Sequence, residues 1–526
     1  MGSLSCLSIF EAGSFGSDSG NVIIASAAVP FPISSMAVGA GTITFAATAD
    51  YDEESVGAGS ITFAAAGAGE SSIEAAGAGT ITFDGAGSAF FGALVTLASD
   101  ATAQDYSAGG EISWDTAAYD SSSVHSGTDF VIPAELNGRY GVFYATVAVS
   151  AIADNSSVGL AIWQNGSAAY VGSGQLRQYV GAGAEGGTEV WLQVTTHPIQ
   201  LVTGDVYSVF FSSSDTSVTI ESGRSSFGFI AYPSITGALV TKAADQTTFN
   251  SGAFPSLTWD SEVYDPDGAH DNVTDNNGLI IPSAWNGKYG IFRGTVALSS
   301  VTANSTLRSV MQKFVSSVDT PWVGRPWVSL HGGNFTVASQ TPSTPPVLLA
   351  TGHEYRIAIN CSDTSVTVEA DESAFSVQVL DTLTGCLCKK AADQTAANYS
   401  SPAVVAWDGT DVYDTDGLHD PSSSNTKIII PSSLNGRYGV FHTTIYMEAA
   451  SSGQQTSAYI RKNGSADYVG GSARSGQNTA NTSVGIVVTT PPILLTTGDE
   501  YEVVLYSSDS SVTVQEEYSA FGMYVI

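Results

Sequence analysis

At 526 residues the chain is too long for one hydrophobic core and requires several domains. Its 50 Asp and Glu against 17 Lys and Arg leave a net charge of −33, a surface that repels nucleic acid and anionic lipid and so excludes both as partners. Only 13% of residues are charged, Gly is abundant (55 residues), and Ser and Thr supply most of the polarity, which excludes coiled coil and favours β-sheet with tight turns.

Residues 1–91 are low in complexity and contain no basic side chain, since the first is Arg139. A secretory leader needs a basic start, so none is expected, and the chain reads as soluble. Asn21–Val38 is mostly apolar, but Pro30 and Pro32 break it, so no membrane insertion is expected. Met1-Gly2 has the start of a myristoylation signal, with Cys6 where Ser or Thr is required. The segment then repeats itself. Val38-Gly39-Ala40-Gly41-Thr42-Ile43-Thr44-Phe45 returns at Val56–Phe63 and again at Ala76–Phe83. Each copy is a Gly-rich turn followed by a strand with Ile and Phe on one face. A unit so small must stack on its neighbours or on another chain to bury that face, which gives a β-rich stalk or docking segment. A disordered linker is the other reading of the same Gly and Ala content.

Three larger repeats follow, over 92–234, 237–382 and 385–526. They open at Gly92, Gly237 and Gly385, spacings of 145 and 148 residues that suit a β-sandwich. In each, a Trp stands 22 residues after the opening Gly (Trp114, Trp259, Trp407), and Tyr-Asp comes soon after (Tyr119-Asp120, Tyr264-Asp265, Tyr413-Asp414). Next is the clearest signature: Ile132-Pro133 with Asn137-Gly138-Arg139-Tyr140-Gly141-Val142-Phe143, matched from Ile281 and from Ile430. Asn-Gly predicts a tight turn in which both residues take φ > 0, feeding a buried strand. Asn165-Gly166 and Asn463-Gly464 predict a central hairpin in the outer repeats, whereas the middle repeat carries an insertion rich in Trp and Pro. Each unit ends with Thr-Gly-Asp or Thr-Gly-His, alternating strands, and a closing Phe (Phe227, Phe375, Phe521). Short, turn-punctuated strands without helical periodicity predict an all-β sandwich or jelly roll, with the aligned Trp, Tyr and Phe in its core.

The order Trp-Asp, Tyr-Asp, Gly-x-Tyr-Gly-x-Phe, Thr-Gly-Asp-x-Tyr and a terminal Ser-x-Phe resembles the jelly roll of the tumour necrosis factor and complement globular-head superfamily. Trp407-Asp408 through His419-Asp420 resembles modules of tailed-bacteriophage virion proteins. The resemblance covers 92–526, weakly in the middle of the second repeat. It implies trimeric, ten-strand β-sandwiches used for display or adhesion, without catalysis; no cofactor is expected other than calcium at the sites below. The expected protein is therefore a virion structural component, a head fibre, decoration or spike that docks on capsid or tail proteins through residues 1–91. A tail-fibre adhesin recognising a host surface receptor or glycan is the alternative. A secreted complement-like cellular protein is a third.

The links between repeats are only three or four residues, reaching roughly 10–14 Å. That is too short to pass a whole sandwich, so the modules are expected side by side around a pseudo-threefold axis within one chain, with the three stalk repeats following the same symmetry. A homotrimer is the other arrangement the resemblance allows.

Candidates for chemistry are few. Asp265, Asp267 and Asp271, and equally Asp414, Asp416 and Asp420, have the Asp-x-Asp-Gly spacing of calcium ligands, although Asn276 and Asn425 replace the Glu of an EF-hand. The competing reading is an Asx-turn loop whose carboxylates cap backbone amides. His125, His270 and His419 align, but no second His or Cys is expected nearby, so zinc is not expected. Cys386 and Cys388 alternate on a strand and read as small hydrophobes on one face, or as a disulfide. Trp322, Trp327, His331 and Asn334, unique to the middle repeat, are the expected partner-contacting tip. No nucleotide loop is present, and no nucleophile-and-base pattern stands out.

Overall fold

The computed structural model describes residues 90–526 apart from 154–155, 168–174, 180–189, 248–253, 302–304, 333–336, 364–365, 371, 449–454, 466–467, 478–482 and 510. Before residue 90 it describes six short strands. The chain divides into two units, Met1–Phe90 and Phe91–Ile526.

In the first unit, Val22–Ala25, Thr42–Ala47, Ser60–Ala65 and Ile81–Phe83 form a parallel sheet in chain order. The Gly-rich repeats pair in register, Ile43 with Ile61 and Ile61 with Ile81, Phe45 with Phe63 and Phe63 with Phe83. Glu53–Ser55 and Ile73–Ala75 form a second parallel ladder. Successive repeats are therefore rungs related by translation. This corrects the expectation that they share a threefold relation: like repeats satisfy their backbone donors and acceptors by pairing with the rung before and after.

The second unit consists of three antiparallel jelly-roll sandwiches. In each, the first strand (Phe91–Thr96, Thr236–Thr241, Gly385–Lys389) pairs with the last (Ser226–Tyr232, Ala374–Leu380, Ala520–Val525). The last strand pairs in turn with the long signature strand (Tyr140–Ser150, Tyr289–Ser299, Tyr438–Glu448). Both ends of a module thus leave from adjacent strands, as the short links require. The opposing sheet is centred on Val206–Ser213, Glu354–Cys361 and Glu500–Ser507.

The three cores are equivalent. Trp114, Trp259 and Trp407 are at most 2% exposed and pack against the closing Phe227, Phe375 and Phe521 at ring separations of 6.3, 5.8 and 6.0 Å. Across each sandwich the signature Phe stacks on a Tyr of the opposing sheet: Phe143 on Tyr207, Phe292 on Tyr355 and Phe441 on Tyr501, at 4.0–4.1 Å. Such stacks add roughly 0.5–1.5 kcal/mol each beyond the area they bury.

The Asn-Gly turn differs from its expected form. One turn of 3₁₀-helix precedes it in each module (Ala134–Leu136, Ser283–Trp285, Ser432–Leu434), and Asn137, Asn286 and Asn435 are extended at φ near −60°. Only the Gly takes positive φ, +79°, +78° and +76° in turn. The Asn is held extended by its own side chain, whose Oδ1 accepts the amide of Thr203, Thr351 or Thr497, each at 3.1 Å. The type with both residues positive appears where the central hairpins turn, at Asn165-Gly166 and Asn463-Gly464.

Contacts between modules run in a ring. The Tyr119 hydroxyl donates to Pro492 O of module three, that of Tyr413 to Pro346 O of module two, and that of Tyr264 to Pro198 O of module one. The same tyrosines meet the signature tyrosines edge-on: Tyr119 with Tyr438, Tyr413 with Tyr289 and Tyr264 with Tyr140, at 5.1–5.7 Å. Three equivalent contacts, each passing to the next module and closing on the first, define the pseudo-threefold arrangement inside one chain. These tyrosines were expected in the sandwich cores and instead form the seams.

Candidate functional site

At the fifth position of each signature strand the three modules differ: Tyr144, Arg293, His442. The backbone faces these side chains toward the middle of the ring, and all three are buried. Arg293 donates from Nη1 to Gln378 Oε1 at 3.0 Å. Burial works against its charge, but the surrounding Tyr144, Tyr524 and Tyr232 outweigh that and hold it protonated. His197 of module one reaches module two, with Nδ1 2.7 Å from Ser376 Oγ and Nε2 3.2 Å from Thr295 Oγ1. His442 Nδ1 lies 2.9 Å from Thr489 Oγ1. Burial, reinforced by Arg293, pushes both imidazoles down to about 3, so both are neutral at pH 7. Gln193 clasps Thr489 of module three, donating to its carbonyl and accepting its amide. A cavity of about 10 Å³ lies beside Arg293, between Gln193, Thr195, Ser343 and Thr489. That is room for about one water and too small for an organic ligand. The centre of the ring is thus a structural polar cluster.

The acidic loops take the capping form. Asp265 accepts the amides of Ala269 and His270, and Asp414 those of Leu418 and His419, as Asp120 does in module one. Asp271 accepts from Val273 and Thr274, and Asp420 from Ser422 and Ser423. These hydrogen bonds draw Asp271 down to about 2 and Asp420 lower still. Asp267 accepts from Trp285 Nε1 at 2.9 Å, and Asp416 from the Thr415 hydroxyl at 2.7 Å. Each of the six calcium candidates therefore spends an oxygen on a protein donor.

Of the four expected tip residues, Trp322 and Trp327 are half-buried against aromatic neighbours. Trp327 lies in the seam between modules two and three, 5.0 Å from the Tyr446 ring and 6.0 Å from Tyr518, rather than on a tip. Gly485 makes room for it, because a Cβ there would come within 2.4 Å of Trp327. Trp322 packs on the core beside Tyr355 at 6.2 Å. A large aromatic ring buries much apolar area, and Trp327 does so in the seam while Trp322 does so on its own module's core. His331 sits on Trp327–Gly332, paired with Thr306, and Asn334 lies outside the described residues.

One association was invisible in the sequence. The expectation that no Cys lies near His419 is overturned: Cys388, Asp411 and His419 place donor atoms within 4.8 Å of one another. Cys388 and Cys386 are buried free thiols on one strand face, with no disulfide between them. The signal was a module difference, since Val95 and Val240 occupy the position of Cys388.

Comparison with known proteins gives little beyond this. No known protein family matches the chain, and no curated protein matches its sequence. Among solved structures it is similar to murine APRIL at pH 5.0 (9% identity, TM-score 0.21, covering 27% of this chain and 99% of that one). It is also similar to murine APRIL at pH 8.5 (10%, 0.19, 27% and 99%) and to the globular domain of zebrafish complement 1qA (12%, 0.19, 28% and 96%). The jelly-roll assignment rests on the strand order itself.

Proposed function

We propose that the chain is a non-enzymatic structural or display protein of a tailed-phage virion, docking through its N-terminal rungs and presenting a single-chain, trimer-like head. The observation that carries this reading is the closed ring of three sandwiches, whose seams are filled with tyrosines and whose centre is packed with polar side chains. Such a head offers a rigid outer surface, and its interior is committed to holding itself together. The likeness of Trp407–Asp420 to phage virion modules supports the particle assignment. An antibody against the full chain should decorate the capsid or tail of particles in electron micrographs. Particles that lack the chain altogether would defeat the proposal. By light scattering the chain should run near its own 54.2 kDa, and a mass three times larger would overturn the single-chain head.

The adhesin reading is favoured by a feature found, among the described residues, in module two. The strand Ser305–Val315 extends into a hairpin with Val318–Asp319, leaving Val318 64% exposed. Binding of the full chain to host cells or to a glycan array would select that reading over decoration.

A further inference from the structure

We propose that module three binds a divalent transition-metal ion, zinc by the chemistry of its donors, between Cys388, Asp411 and His419. The three residues come from separate stretches: the module's first strand, the turn before Tyr413–Asp414, and the loop after it. His419 Nδ1 lies 2.8 Å from Asp411 Oδ1, and the Cys388 sulfur completes a group spanning no more than 4.8 Å. Donors bound at about 2.0–2.3 Å around one tetrahedral ion are separated on this scale. The Cys388 and His419 side chains are buried, while Asp411 keeps 13% of its side chain exposed and marks a way in.

The other two modules supply the control. At the four positions concerned, module one has Ala93, Val95, Ala117 and His125; module two has Ala238, Val240, Glu262 and His270; module three has Cys386, Cys388, Asp411 and His419. In module one the histidine Nε2 bonds the carbonyls of Trp114 and Gly127 and needs no acid. In module two His270 Nδ1 meets Glu262 at 3.1 Å beside an inert Val240. The histidine–acid pair by itself therefore serves the fold. Module three alone adds sulfur, twice, where a methyl and an isopropyl group suffice elsewhere. Cys386 lies on the same strand face and hydrogen-bonds with Cys388.

Thiolate, imidazole and carboxylate together select zinc or cobalt over calcium or magnesium, which take oxygen donors. A thiol binds such an ion as the thiolate, so metal uptake should weaken as the pH falls. The bound ion would tie the first strand to the 411–420 loop.

The full chain, incubated with zinc sulfate and desalted, should retain a single zinc by mass spectrometry of the metal. Cobalt(II) should give the sulfur-to-metal band and the visible colour of a tetrahedral thiolate site. Cys388→Val and Asp411→Ala install the residues that modules two and one already tolerate, so both should fold and both should lose the metal. Chelation should lower the melting midpoint of the natural chain and leave that of Cys388→Val unchanged. A natural chain that retains no zinc, or a Cys388→Val chain that retains as much, overturns the proposal.

Discussion

Acidification below pH 6 is expected to loosen the head steeply, at about 3 kcal/mol per pH unit from His197 and His442 together. Both are buried with their pKa pushed from 6.5 down to about 3, by desolvation first and by Arg293 second. Between those values the unfolded chain takes up two protons that the folded chain refuses. The stabilisation is therefore complete above pH 6.5 and is lost progressively as the pH falls toward 3. Urea midpoints measured from pH 7 to pH 4 should fall accordingly, and His197→Gln should roughly halve the slope. Carboxylates drawn down by capping bonds, such as Asp271, add loss in the same direction, so the comparison with the variant is what isolates the histidines. A natural chain and variant with equal slopes would show that His197 does not resist protonation in the folded chain.

Trp407→Ala should destabilise module three by about 3–5 kcal/mol, the cost of a cavity left by a buried ring. Trp407→Phe should cost far less, within about 2 kcal/mol. The indole Nε1 of Trp114, Trp259 and Trp407 alike is buried without a hydrogen-bond partner. Phe keeps most of the packing against Phe521 while removing that unpaired donor. Chemical unfolding of the two variants side by side separates the contributions. An alanine variant as stable as the natural chain would mean that the ring is not part of the core.

The sandwich cores were legible because their signal is local and repeated: a Trp at fixed distance from each opening Gly, a signature strand, a closing Phe. The ring could be argued from link length alone, since three or four residues constrain geometry more strongly than any composition does. The seams could not. Tyr119 and Tyr140 look like core aromatics in the sequence, and only the placement of one module against the next shows them meeting Tyr438 and Tyr264. Trp327 was misplaced for the same reason: an insertion rich in aromatics reads as a surface loop until a neighbour covers it. Cys388 and His419 are separated by a turn and a loop, and Asp411 lies between them, so no motif spacing announces their approach. The three-way comparison of equivalent positions would have singled out the cysteines.

Joining three modules in one polypeptide changes what can occupy the middle. In an assembly of identical subunits, any side chain near the symmetry axis faces two copies of itself, and a guanidinium there would confront two more. Here Tyr144, Arg293 and His442 share that place, so one cation is wrapped by phenols and uncharged imidazole. The covalent joining lets each copy diverge, which also allows sulfur to appear in only one of them. A chain built in this way cannot exchange subunits with a relative, and its parts are always present in equal number.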